Sequence, residues 1–183
     1  MNAERYASAQ TIAEYIEATR KNTEFWRGVN RTARVPDDVG AIAASIQGTF
    51  HLLALSEDWC GDAVNTLAVV ARLVELIPGA TFRILGRDAN PDLMDAHLTA
   101  GTRSIPVVIV YDADFREHGW WGPRPTELQR LHVTELRALP KEERNLRVRT
   151  WYARDRGRST AAEVLALIQG AGAEPSPQAP SDR

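Results

Sequence analysis

The chain has 183 residues, 44% hydrophobic and 25% charged, with 22 Lys and Arg against 24 Asp and Glu and a net charge of −2. That length and apolar content suit one globular domain with room for a helical extension, and the near balance of charge excludes a global basic footprint for nucleic acid. No run approaches the roughly 18 apolar residues of a membrane span, the N-terminus carries Glu4 and Glu14 without an apolar signal region, and a single cysteine rules out a disulfide within the chain; the expectation is a cytoplasmic protein with no membrane association.

In chain order, Ile12, Tyr15, Ile16 and Thr19 fall at helical spacing and predict an amphipathic helix over 9–19. Phe25, Trp26 and Val29 share one face of a second helix over 23–33. Pro36 opens a third in "VPDDVGAIAASI", with Asp37 and Asp38 near its positive end. "TFHLLALS" (49–56) is mostly apolar and bounded by Gly48, the pattern of a strand buried on both faces. A helix over 61–76 follows, with Val64, Leu67, Ala68, Ala71, Val74 and Leu76 on its apolar face and Pro78-Gly79 as its stop. "ATFRILG" (80–86) is a second strand, and "NPDLMDAHLTAG" (90–101) a helix with Asn90 as cap. "PVVIVYD" (106–112) and "FREHGWW" (115–121) are the third and fourth strands, and the short link between them predicts an antiparallel hairpin. Thr126 caps a helix over 126–139, and Ser159 another over 159–170 with Glu163 in its first turn. "AEPSPQAPSDR" is Pro/Ser-rich and reads as disordered.

The strand–helix–strand units predict parallel neighbours and the last hairpin antiparallel ones. The fold class is therefore α/β, a mixed four-stranded sheet flanked by helices, with extra helices at both termini. The expected organisation is an N-terminal helical extension over 1–47 packed on the core, the core over 48–140, a C-terminal helical segment over 141–170 and a disordered tail over 171–183.

Three stretches carry a resemblance. "DWCGDA" (58–63) lies between a strand and a helix, "SIP" (104–106) opens the next strand after a helix, and "FREHGWWGPRP" is a hairpin strand running into a helix. In this order they resemble the thioredoxin-like fold across 45–140, and "SEDWCGDA" with "RSIPVVIV" and "WGPRP" looks most like a bacterial branch whose motif is W-C-G-D-C. The resemblance implies a catalytic thiol at Cys60, a cis-proline at Pro106, and a substrate groove built from Trp59, Gly61, Asp62, Ile105 and Pro106. Three departures stand out: Ala63 where the branch has its second cysteine, Ala54 where classical thioredoxins keep a buried acid, and Asp62 where the classical motif has proline. The fold carries over; the dithiol activity does not.

A cysteine at a helix N-terminus faces free backbone N–H groups and the positive end of the helix dipole, which favour the thiolate. Glu57, Asp58 and Asp62 work against this by raising the thiol pKa and repelling anionic glutathione, unless Arg87, Arg103 and Arg124 face the site. With no second sulfur, Cys60 forms a mixed disulfide and then needs an external thiol, such as glutathione or a protein, to resolve it. Two readings follow. One is thiol redox chemistry through a mixed disulfide at Cys60 with a protein-thiol or peptide partner, without resident cofactor or metal. The other is a non-catalytic peptide- or protein-binding module with a degenerate redox site. His51, His97 and His132 lack partners at metal-ligand spacing, and His118 is either a proton carrier near the cysteine or a half-buried surface residue. "WWGPRP" reads as a rigid packed turn, with a Trp/Arg recognition ledge as the alternative. "RNLRVRTWYARDRGR" (144–158), with six arginines around Trp151 and Tyr152, reads as a solvated helix face and not as a nucleic-acid surface.

Overall fold

The computed structural model describes residues 1–172. Its centre is a four-stranded sheet of order β2-β1-β3-β4, formed by β1 (Phe50–Ser56), β2 (Ala80–Gly86), β3 (Val107–Tyr111) and β4 (Glu117–Trp121). β1 and β2 run parallel, in register from Phe50↔Ala80 to Ser56↔Gly86. β3 lies antiparallel beside β1 and antiparallel to β4, so the sheet is mixed. The parallel neighbour expected for the third strand is absent: its partner is β1, on the side away from β2. The helix between β2 and β3, α6 (Pro91–Ala96), has six residues and ends five short of the expected Gly101. His97 leaves helical geometry and is held by the Leu93 carbonyl and Glu117.

Four short helices precede the sheet: α1 (Ala3–Ala7), α2 (Ile12–Ala18), α3 (Thr23–Thr32) and α4 (Asp37–Ser45). α1 has no counterpart in the expected elements, and its five residues hold too few apolar positions to show a period. α2 starts with a capping box, in which Thr11 and Glu14 satisfy each other's backbone N–H groups. Gln10 pairs antiparallel with Ile84, with N–H to carbonyl distances of 3.0 and 2.8 Å, so the N-terminal segment covers the outer edge of β2.

β1 enters α5 (Gly61–Glu75), whose residues from Ala63 to Val74 are nearly all buried. Apolar residues surround this helix because it is covered on every side, by the sheet, by α3 and by α9 (Arg158–Gly172). One hydrophobic cluster contains Tyr6, Trp26 and Ala43 from the N-terminal helices, the strands, α5, and Ala161, Val164, Leu165 and Ile168 of α9. The core is thus not confined to 48–140, because helices from both ends complete its layers.

The C-terminal region departs most from expectation. α7 (Thr126–Thr134) gives way to a 3-10 turn at Leu136–Ala138, so the single helix over 126–139 is two pieces. Thr126 is the first helical residue and not a side-chain cap; its N–H is satisfied by Glu163 of α9, at 2.9 and 3.1 Å. The same carboxylate accepts the indole N–H of Trp121 at 2.7 Å, so Glu163 ties two elements together. Ser159 lies inside α9, and its backbone N–H and hydroxyl donate to Asp155. The arginine-rich stretch forms α8 (Lys141–Asp155) and a sharp turn at Arg156-Gly157. Gly157 has φ +82°, and a Cβ there would strike Val69 of α5, so only glycine lets this turn approach the core. β4 begins at Glu117, because Phe115 takes a left-handed conformation and stacks on His51. Most of the tail expected over 171–183 lies outside the described residues.

Candidate functional site

Cys60 occupies the N-cap of α5, where the chain leaves β1 in extended conformation and turns into the helix. Its backbone N–H donates to the Glu57 carbonyl at 3.0 Å, and its carbonyl accepts from Val64 at 3.2 Å. The thiol is buried, 7% exposed, and donates to the Ile105 carbonyl at 3.4 Å. The Ile105–Pro106 and Gly122–Pro123 peptide bonds are both cis. Gly122, at φ +133°, sits so close to the Pro106 carbonyl that a Cβ has no space. "WWGPRP" is therefore a packed turn braced against the 105–106 loop, with Trp121 buried beneath Glu163. Ala63, one turn along α5 from the cysteine, is fully buried.

Burial pushes the Cys60 thiol up to about 11, and Asp62 adds to the rise. The backbone N–H groups of Ala63 and Asp62, and Arg124, act in the opposite direction and are outweighed. The helix N-terminus does favour the thiolate, but desolvation is the larger effect. Of the three carboxylates expected to crowd the sulfur, only Asp62 contributes. Asp58 is used to hold the loop: its carboxylate accepts the backbone N–H groups of Arg20 and Lys21 at 2.8 and 2.9 Å, and its carbonyl accepts the Trp26 indole at 2.9 Å. Glu57 accepts the Asp88 N–H at 2.9 Å. Asp62 pairs with Arg124 at 2.6 Å and accepts the Tyr152 hydroxyl at 3.0 Å. Burial first, and then Asp62, hold the Tyr152 phenol well above its ordinary pKa, so it stays a donor.

A groove of about 300 Å³ opens beside the sulfur, lined by Trp59, Cys60, Gly61, Asp62 and Ile105. Arg87, Arg103 and Arg124 all face it. The Arg87 guanidinium lies 5.1 Å from the centre of the half-exposed Trp59 ring, a cation–π contact. Four of the five expected groove residues are thus brought together. Pro106 is buried behind Ile105, and Pro123 from the braced turn lines the groove instead. His118 lies outside this groove, 3.3 Å from Asp112 at the hairpin. His51 stacks on Phe115. Among the described residues no cluster of three His, Cys, Asp or Glu side chains could hold a metal, and no helix is long and apolar enough to cross a membrane. The sequence reading missed Tyr152 and His132, which lies beside Arg124 and Asp62. The signal for Tyr152 was an aromatic pair inside a charged run, the mark of a helix with one buried side.

A family model described as Thioredoxin matches residues 9–139. The chain resembles a crystal structure of a protein of unknown function, PA1234, from Pseudomonas aeruginosa, with a TM-score of 0.70 at 21% identity over 93% of this chain and 99% of that one. It resembles an HIV epitope-scaffold equally, with a TM-score of 0.70 at 20% identity over 92% and 97%. Both likenesses show the fold alone. A search of curated proteins finds no match. The family match spans well over half the chain, which therefore belongs to the thioredoxin family.

Proposed function

We propose that this thioredoxin-family chain is a peptide- or protein-binding module built on a degenerate redox site. The motif W-C-G-D-A is read as the W-C-G-D-C pattern of a bacterial branch without its second cysteine. The observation that carries the reading is the state of the thiol beside an open groove. Cys60 is buried, hydrogen-bonded to Ile105 and held to a pKa of about 11, while Trp59 stands exposed at the rim with the largely covered Arg87 against its ring. With that pKa only about one thiol in ten thousand is ionised at pH 7, and the thiolate is the nucleophile. A Trp with a stacked Arg is the composition of a binding hot spot. A lone thiol of this kind is at home in a reducing compartment, in keeping with a cytoplasmic protein.

A second reading is thiol exchange, favoured by the position of Sγ in the groove wall at the helix N-terminus. In it the Cys60 thiolate attacks a disulfide, forms a new S–S bond to one sulfur and expels the other as a thiolate. An external thiol, from glutathione or a protein, then displaces Cys60 and takes the first sulfur into a new disulfide. The discriminating experiment pairs a panel of rhodamine-labelled decapeptides, read by fluorescence anisotropy, with the Cys60→Ser and Trp59→Ala variants. A binding module keeps its affinity in Cys60→Ser and loses at least tenfold in Trp59→Ala. Loss of binding in Cys60→Ser, or rapid glutathionylation of Cys60 by oxidised glutathione at pH 7, transfers the site to the exchange reading.

A further inference from the structure

The groove at Cys60 does not end at Trp59. On the far side of that ring, and sharing Gly61, Asp62 and Arg124 with it, lies a cleft of about 770 Å³. One wall is the edge of α3, which supplies Asn22 and Phe25, and the opposite wall is α8. Lys141, Arg144, Asn145, Val148 and Arg149 line it from α8, at steps of three, one, three and one, which is a single helical face. The arginine-rich run is therefore two-sided: one face turns into the cleft, and Tyr152 is buried beneath it to reach Asp62.

Charge decides what such a cleft accepts. Groove and cleft together present six Lys and Arg side chains; Arg87, Arg103 and Arg124 are paired with Asp88, Asp95 and Asp62, which leaves the three α8 cations as the surplus. The whole chain is net −2, so this excess of cations is local and opposite in sign to the molecule's own balance. Among the described residues Lys141, Arg144 and Arg149 form no ion pair. On the cleft floor Arg124 Nε and His132 Nδ1 are buried without a hydrogen-bond partner. A water-excluded donor left unpaired is costly, so the Arg124 Nε–H suits a ligand that brings an acceptor.

We propose that the cleft receives the acidic portion of an extended peptide, whose adjoining residues lie in the Cys60 groove. This rests on the binding-module reading and names its ligand class. Asp or Glu side chains would sit between the α8 cations and Arg124, and apolar neighbours would contact Phe25, Trp59 and Val148. A single small anion would leave most of 770 Å³ unfilled, and the two cavities meet along one wall, which favours a chain over a free ion.

The test is anisotropy with the full chain and three rhodamine-labelled probes: a decapeptide of alternating Glu and Ala, the same peptide with Gln for Glu, and a decamer of oligouridylate. The Glu peptide is expected to bind at least tenfold more tightly than the Gln peptide. Arg144→Glu with Arg149→Glu, both at or near the surface of α8, should weaken the Glu peptide at least tenfold and erase its preference over the Gln peptide, with the circular dichroism melt confirming the fold. Equal binding of the two peptides overturns the inference and leaves the binding-module reading standing. In Trp59→Ala, whose side chain lines both cavities, both peptides should weaken while the Glu preference survives; loss of the preference there overturns the inference. Binding of neither peptide overturns both, and tighter binding of the oligouridylate than of the Glu peptide assigns the cations to nucleic acid and overturns the inference.

Discussion

Two added segments reach the Cys60 turn from opposite ends of the chain, and they act on it differently. From the N-terminal side, the α2–α3 region grips the backbone: Arg20 and Lys21 donate N–H groups to Asp58, and the fully buried Trp26 donates its indole N–H to the Asp58 carbonyl. From the C-terminal side, Tyr152 on α8 grips the charge of Asp62, joined by Arg124 from the core loop before α7. The first contact sets the shape of the loop that places the cysteine. The second sets the electrostatics around the sulfur and builds a wall of the cationic cleft. Flanking helices on one scaffold can thus fix geometry and tune chemistry separately, through two carboxylates only four positions apart.

This division can be broken by mutation. Trp26→Ala should have the largest effect, a loss of about 3–5 kcal/mol from removing a large buried ring, measured as a fall in the urea midpoint. Trp26→Phe removes mainly the indole donor and should cost about 1–3 kcal/mol, because the Asp58 carbonyl loses a partner. Tyr152→Phe should cost a similar amount, about 1.5–3 kcal/mol, since the lost bond is to a charged group. Trp26→Phe and Asp62→Asn separate the two segments in a second measurement. Alkylation of Cys60 by iodoacetamide follows the thiolate, so the wild-type rate should climb about tenfold per pH unit and level off only near pH 11. Trp26→Phe should leave that profile unmoved. Asp62→Asn removes the second cause of the raised pKa, so its profile should shift to lower pH. The shift should stop short of the ordinary value of 9.0, because burial is the larger cause. A profile that moves with Trp26→Phe and not with Asp62→Asn would reverse the assignment of the two segments. The smallest expected effect is Ala63→Cys. Its small, fully buried site should accept the sulfur with little change in stability, and gain of insulin-disulfide reduction would show that the turn lacks only its resolving thiol.

Much of this was legible beforehand, and the reasons differ by element. β1, α5 and the β3–β4 hairpin carry strong local patterns: a continuous apolar run, a helical apolar stripe ending at Pro78-Gly79, and a two-strand link. Trp59, Gly61, Asp62 and Ile105 were brought together by the thioredoxin-like resemblance of their motifs, and all four line the groove beside Cys60. The burial of Pro106 and the appearance of Pro123 in its place were not legible, because Gly122 brings the second loop against the first from sixteen residues away. Asp58 and Glu57 looked like charges on a thiol and prove to be acceptors for backbone N–H groups more than thirty residues distant. The cap at Thr126 failed for a like reason, since Glu163 of α9 takes its N–H; at Ser159 the acceptor is local, because Asp155 four residues earlier takes the N–H.

The sequence by itself determined that one sulfur sits at a strand-to-helix turn with no partner sulfur one turn on, since that needs only the order of apolar periods and the identity of residue 63. Tertiary structure decided how that sulfur behaves and what lies beside it. Desolvation, the pairing of Asp62 with Arg124 and Tyr152, and the turning of one α8 face into a cationic cleft depend on packing between segments up to 90 residues apart. A protein sets the energy of a charge by what surrounds it in space, and distance along the chain does not encode that.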